Sequence, residues 1–126
     1  MPKRLIRGVS ERVDCFGEIV VSLNEKEAEL AIRELLKEGV QAIAICFLWS
    51  FRNPAHENKV KAMVQRLAPK LFVTTSVDIA PKWGEYERVT ATALNAYLGP
   101  VMGGYLGGLD GSLRKLGYEH GLQITQ

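Results

Sequence analysis

The sequence predicts an α/β fold: a three-layer βαβαβ unit preceded by an N-terminal hairpin and followed by C-terminal helices and a final strand. Three observations carry that prediction. Apolar residues take up a helical period between Asn24 and Gly39, two nearly continuous apolar, β-branched runs occupy residues 40–49 and 71–77, and a second helical period separates those runs. Right-handed crossovers turn such an order into parallel strands with helices packed against them. The 126 residues suit one domain with one core, and 47% hydrophobic with 24% charged content excludes a disordered tail.

Each element has a local reason. Residues 5–13 and 18–23 mix apolar, polar and β-branched side chains around Asp14, Cys15, Phe16 and Gly17, the signature of a hairpin. Asn24 can cap a helix with Glu27 reaching back in a capping box, and Ala28, Ala31, Ile32, Leu35 and Leu36 share one face. Gly39 stops it, since the positive-φ position after a helix strains glycine least. Residues 40–49, with Val40, Ile43 and Ile45, predict a strand covered on both faces. Asn53 and Pro54 read as a cap and first helical residue, Val60, Met63, Val64 and Leu67 as the packed face, and Pro69 as the end. Residues 71–77 are the next strand. Residues 83–98 predict a helix with Tyr86, Val89, Ala93, Ala96 and Tyr97 available for packing, broken or kinked at Gly99-Pro100. A further helix over residues 100–116 would use Val101, Tyr105, Leu109, Leu113 and Leu116, with Gly117 as its cap. Gly103, Gly104, Gly107, Gly108 and Gly111 each weaken it by about 1 kcal/mol relative to alanine. Residues 121–125 begin another strand.

Composition narrows the function classes. Sixteen basic against fourteen acidic residues leave a net charge of +2 without a dense basic run, which gives no reason to expect nucleic acid or an anionic membrane. The longest apolar stretch, residues 42–49, is far below the roughly 20 residues of a membrane span. A basic start without an apolar signal core, and Cys15 and Cys46 without CxxC spacing, fit a reduced cytoplasmic setting. Cys46 reads as a small buried hydrophobe. No GxGxxG, GxxxxGK[ST] or GxSxG occurs, and the glycines between Gly99 and Gly111 fall at helical intervals that suit close packing better than a phosphate cradle. His56 and His120 lie in different elements without HExxH spacing, and His56 is expected to face solvent. No catalytic, cofactor-binding or metal-ligating residue is therefore assigned.

The most suggestive segment is Trp83 to Thr90, where charged and aromatic side chains crowd two helical turns. Glu85, Glu87, Arg88 and Asn95 are candidate linings of a cleft beyond the ends of the parallel strands, where open α/β sheets bind ligands. Arg52, in Ser50-Phe51-Arg52-Asn53, would lie on the same side. Two plainer readings compete: a surface ion pair between Glu85 and Arg88, worth a few tenths of a kcal/mol, and a simple capping turn at residues 50–53.

The order of motifs adds a resemblance. Glu11-Arg12-Val13-Asp14 with Gly17, residues 39–46 (GVQAIAIC), residues 50–57 (SFRNPAHE), Glu85-Tyr86-Glu87-Arg88 and residues 95–100 (NAYLGP) together resemble the hydantoinase A and 5-oxoprolinase family, which includes homologous subunits of acetone and acetophenone carboxylases. The match spans nearly the whole chain. It implies an internal fragment of a large ATP-dependent enzyme of actin-like, ribonuclease H-like architecture, which activates a cyclic amide or ketone carbonyl. Residues 1–80 would close the family's N-terminal domain, and residues 81–126 would supply a helical connection and first strand of the next. The phosphate-binding segments would lie outside both ends, so the fragment would be scaffold and cleft wall, inactive alone, with no cofactor of its own. The parent would use ATP with a divalent cation. Its partners would be the remainder of the parent chain and a hydantoinase B-like subunit. The alternative is a non-enzymatic module that docks a subunit through its apolar, glycine-rich C-terminal helix.

Overall fold

The structure, a computed structural model, describes residues 2–123. A short 3-10 turn at Lys3–Leu5 leads to a hairpin of β1 (Arg12–Val13) and β2 (Ile19–Val21), paired antiparallel with an irregular register. The expected turn chemistry is present. The Asp14 carboxylate accepts from the backbone N–H groups of Phe16 and Glu18, both at 2.9 Å, which folds the chain back on itself.

Helix α1 (Glu25–Lys37) starts where its cap predicts, the Asn24 side chain accepting from the Glu27 N–H at 3.2 Å. The other half of the capping box differs. The Glu27 carboxylate takes the Ser10 N–H at 2.8 Å, while the Asn24 N–H donates to the Ser10 carbonyl, so the cap fastens the N-terminal segment instead of closing on itself. Those bonds from Ser10 hold the Glu27 carboxyl below its usual range. Gly39, at φ 74°, ends the helix as predicted.

Strand β3 (Ala42–Ile45) and strand β4 (Phe72–Thr75) pair in parallel, Ala42 opposite Phe72 and Ile45 opposite Thr75, with α2 (Ala55–Leu67) as their crossover. Ile43 and Ile45 point from one face into a core shared with Leu23, Ala28 and Ile32 of the α1 region and Val60, Met63 and Val64 of α2. Among the described residues the strands form two two-stranded sheets, so β2 is not hydrogen-bonded beside β3. Its three residues are all exposed, which leaves no apolar face to hold it there. Ala44 is exposed as well, so β3 is not covered throughout on both faces.

After β4 the chain enters a single turn of helix, α3 (Ser76–Ile79), that the sequence does not announce. The two expected C-terminal helices are one, α4 (Glu85–Lys115), with Pro100 inside it. Proline costs the helix one N–H, yet the helix runs on through it, and the turns before it are seated on the sheet. Gly99 explains the seating. A Cβ there would collide with the tip of the Phe72 ring, so glycine allows this approach of helix to strand. The final-strand expectation falls partly on residues 124–126, outside the described residues, and residues 121–123 carry no regular structure.

Candidate functional site

The C-terminal ends of β3 and β4 meet in a polar cluster organised around one peptide unit, that of Phe47. Its N–H donates to the Glu57 carboxylate at 2.8 Å. Its carbonyl accepts from Arg88 Nη2 at 2.6 Å and from the Ser50 hydroxyl at 3.0 Å. Glu57, fully buried, also takes the Ser76 hydroxyl at 2.6 Å and the Val77 N–H at 3.2 Å, which ties the end of β4 to that of β3. Ser50 and Ser76 lie 3.1 Å apart. A carboxylate with three donors is well compensated for its burial.

Arg88 is not compensated in the same way. It is 1% exposed, and its Nε and Nη1 find no acceptor among the described residues. Buried, unpaired donors of this kind cost about 1–3 kcal/mol each. The Phe51 ring covers the guanidinium, 5.4 Å from its carbon. Trp49 joins Phe51 at 5.6 Å and Trp83 edge-on at 5.1 Å, making an aromatic cover over the site. Trp49 holds its place with φ at 57°, a left-handed conformation that a bulky residue adopts only under constraint.

Helix α4 completes the arrangement with an inward stripe at helical spacing: Arg88, Thr92, Asn95 and Gly99. Thr92 is buried, and Asn95 Nδ2 donates to the Thr74 hydroxyl at 2.9 Å. Beside them the Cys46 thiol is pushed up by burial, against hydrogen bonding from Thr92 and the positive charge of Arg88.

The candidate residues therefore separate. Arg88 and Asn95 point inward on one helix face. Arg52 is exposed and also lies over the Phe51 ring, 5.8 Å from its centroid. Glu85 is half-buried and Glu87 exposed at the helix start. The surface ion pair of Glu85 with Arg88 does not form among the described residues, because Arg88 turns into the sheet. The turn at residues 50–53 caps α2, Asn53 Oδ1 accepting from the Ala55 N–H at 3.1 Å, and also braces the hairpin through Asn53 Nδ2 to the Gly17 carbonyl at 2.8 Å.

Two expectations need correction. His56 does not face solvent: it is 5% exposed and its Nδ1 lies 2.8 Å from the buried Glu11 carboxylate, because the first turn of α2 lies under the segment before β1. The packing face assigned to α4 holds only in part: Ala93 and Ala96 are half-buried, but Val89 is exposed. Tyr86 and Tyr97 are 81% and 78% exposed, since polar residues take the inward stripe. Glu57 was not singled out at all. Extending the Val60, Val64, Leu67 stripe back one turn lands on it, and that phase was the available signal.

No group of three His, Cys, Asp or Glu side chains able to hold a metal occurs among the described residues, and no helix there is long and apolar enough to cross a membrane. The cluster positions and hydrogen-bonds, and its one hydroxyl–carboxylate pair among the described residues, Ser76 with Glu57, is fully buried.

Comparison with known proteins agrees with the motif order. The chain is 38% identical to the caprolactamase subunit alpha of Pseudomonas jessenii over 126 residues, 100% of this chain and 18% of that one. It is 38% identical to the acetophenone carboxylase gamma subunit of Aromatoleum aromaticum, covering 91% of this chain and 16% of the relative. The crystal structure of the ATP-dependent caprolactamase from Pseudomonas jessenii superposes with a TM-score of 0.88 at 38% identity, over 95% of this chain and 17% of that one. The chain thus spans under a fifth of the length of the relatives it matches. Residues 1–68 match the family described as hydantoinase/oxoprolinase N-terminal region, and the chain belongs to that family.

Proposed function

We propose that this chain is the scaffold and one cleft wall of a larger ATP-dependent enzyme that activates a cyclic amide or ketone carbonyl for hydrolysis or carboxylation. The observation that carries the reading is the inward stripe of Arg88, Thr92 and Asn95 over the ends of β3 and β4, a wall of positioned polar groups without a nucleophile and base among them. Glu85, Glu87 and Arg52 would form its rim. The described residues include neither a group of three His, Cys, Asp or Glu side chains able to hold a metal nor a glycine-rich phosphate loop, so in this reading ATP and a divalent cation are held elsewhere. The remainder of the parent chain would hold them. We further propose that β3 and β4 are two strands of a wider three-layer, actin-like sheet. The faces support this: α1 and α2 pack on the side of Ile43 and Ile45, and α4 lies against Phe72 and Thr74. In this reading the connection to the next domain begins after residue 80, and the setting is cytoplasmic.

The test compares ATP turnover by the 126-residue chain with that of the longer protein containing it, each with a lactam, a hydantoin, 5-oxoproline and a ketone with bicarbonate. Turnover dependent on one of these, by the longer protein alone, is the expected result. Enzyme-like turnover by the short chain would sink the cleft-wall reading.

A second reading rests on a different observation. In the latter half of α4 Val101 and Tyr105 are 73% and 65% exposed, and nothing lies within 4 Å of the Cβ positions of Gly103, Gly104, Gly107, Gly108 and Gly111. A surface of this kind fits docking of a partner subunit, such as a hydantoinase B-like one. If the longer protein is active as a lone chain with this helix packed internally, the docking reading loses its support.

A further inference from the structure

We infer that Arg88 is a seat for one oxyanion, a carboxylate or phosphate, bound two-pronged beneath the Phe51 ring. The inference rests on the cleft-wall reading for the side from which the anion arrives, and it names the chemistry of what arrives.

Guanidinium has five N–H groups, of which Nη2 carries two. The structure gives Arg88 one acceptor, the Phe47 carbonyl on Nη2. The second Nη2 hydrogen lies either beside the Nε–H, on the side edge, or beside an Nη1–H, on the end edge. Nε and Nη1 are both buried and without acceptors among the described residues, so one complete two-pronged edge is free in either case. A planar pair of parallel donors is the partner of a carboxylate or phosphate, not of a single carbonyl.

Charge agrees with this. The buried Glu57 carboxylate spends its oxygens on Phe47, Ser76 and Val77 and forms no ion pair with Arg88 among the described residues. The Phe47 peptide stands between them, bonded to each. Arg88 therefore keeps a positive charge that no bonded anion answers, in a place where burial strengthens its pull.

The cover lies at the surface. Phe51 is half-buried and sits in a turn with Trp49 in the left-handed region, while Trp83, which flanks Trp49, is 72% exposed. In the proposed seat the Phe51 side chain turns aside to admit the anion, while the Nη2 bond to the Phe47 carbonyl fixes the guanidinium plane. The seat thus has an anchor, a fork and a shutter.

The chain's two tryptophans, Trp49 and Trp83, are both in the cover, so their emission reports what happens beneath it. The 126-residue chain is titrated with inorganic phosphate and, separately, acetate, against sodium chloride at equal ionic strength. A saturable emission change is expected with phosphate, acetate or both, and the tighter of the two identifies the anion class. Arg88→Lys, which keeps the charge and loses the fork, should weaken binding by about ten-fold or more. Phe51→Ala, which removes the shutter and keeps the arginine, should tighten it several-fold. No saturable change in either the parent sequence or Phe51→Ala overturns the inference, as does an undiminished response in folded Arg88→Lys. If circular dichroism shows Arg88→Lys unfolded, Phe51→Ala decides, and affinity unchanged or weakened by it overturns the seat. None of these readouts depends on ATP turnover, so the seat can fail while the cleft-wall reading stands, and the reverse.

Discussion

Glu57 shows how much one buried charge can organise. Its two oxygens take three donors from two strand ends, so the loops after β3 and β4 are held by a single side chain on α2. Glu57→Gln removes the charge and sets an NH2 group against backbone N–H donors. We expect a loss of about 2–4 kcal/mol in urea unfolding, from unpaired buried donors. A loss below about 0.5 kcal/mol would show that these bonds do not hold the ends together. Glu27 works differently, at the surface. Its folded-state carboxyl titrates below the usual range because it accepts the Ser10 N–H. A depressed carboxylate contributes stability that is present above the unfolded pKa and lost as pH falls through the folded one. The acid limb of stability against pH should therefore flatten in Glu27→Gln between the ordinary carboxylate range and more acid pH, and an unchanged limb would contradict this. The sequence shows the Asn24 cap plainly, because its partner is three residues away. It hides the partners of Glu27, Glu57 and His56, which lie 17, 19 and 45 residues distant.

At the scale of elements, α4 joins two environments in one helix. Gly99 touches Phe72 while Gly103 and Gly107 face open space, so the same substitution should have opposite signs along it. Gly99→Ala should destabilise by about 1–3 kcal/mol through overpacking. Gly103→Ala and Gly107→Ala should stabilise their part of the helix by up to about 1 kcal/mol, since alanine forms helix better and meets nothing. Thermal unfolding of the three variants checks the pattern, and equal signs would refute it. The helices were legible because their caps and periods are local. The parallel pairing of β3 and β4 was legible from two apolar runs separated by a helix. What local pattern does not show is partner choice: β2 has strand composition, yet all three residues are exposed and it pairs only with β1 among the described residues. Nor does it show the polar inward face of α4, because tyrosines outside and arginine inside reverse the usual rule.

For the molecule as a whole, the core lies between α1, α2 and the strand pair, and the first half of α4 closes the other side over a polar cluster. Amide hydrogen exchange should follow that division, slow in the first turns of α4 and fast beyond Pro100, where the helix has no covering element among the described residues. Uniform protection along all of α4 would contradict it. The family was readable from motif order because those motifs are the strand ends and caps that build this cluster, SFRNPAHE around Ser50 and Glu57 and EYER around Arg88. The site itself was only half readable, since Arg88 and Asn95 could be chosen by position while their acceptors could not. The central claim is that this cluster is one wall of an active site completed by other parts of a longer enzyme. Its most direct measurement is kcat/KM for Arg88→Lys in that full-length enzyme, normalised to folded protein. The account predicts a fall of about ten-fold or more with the fold retained; activity equal to the parent's in a folded variant would contradict it.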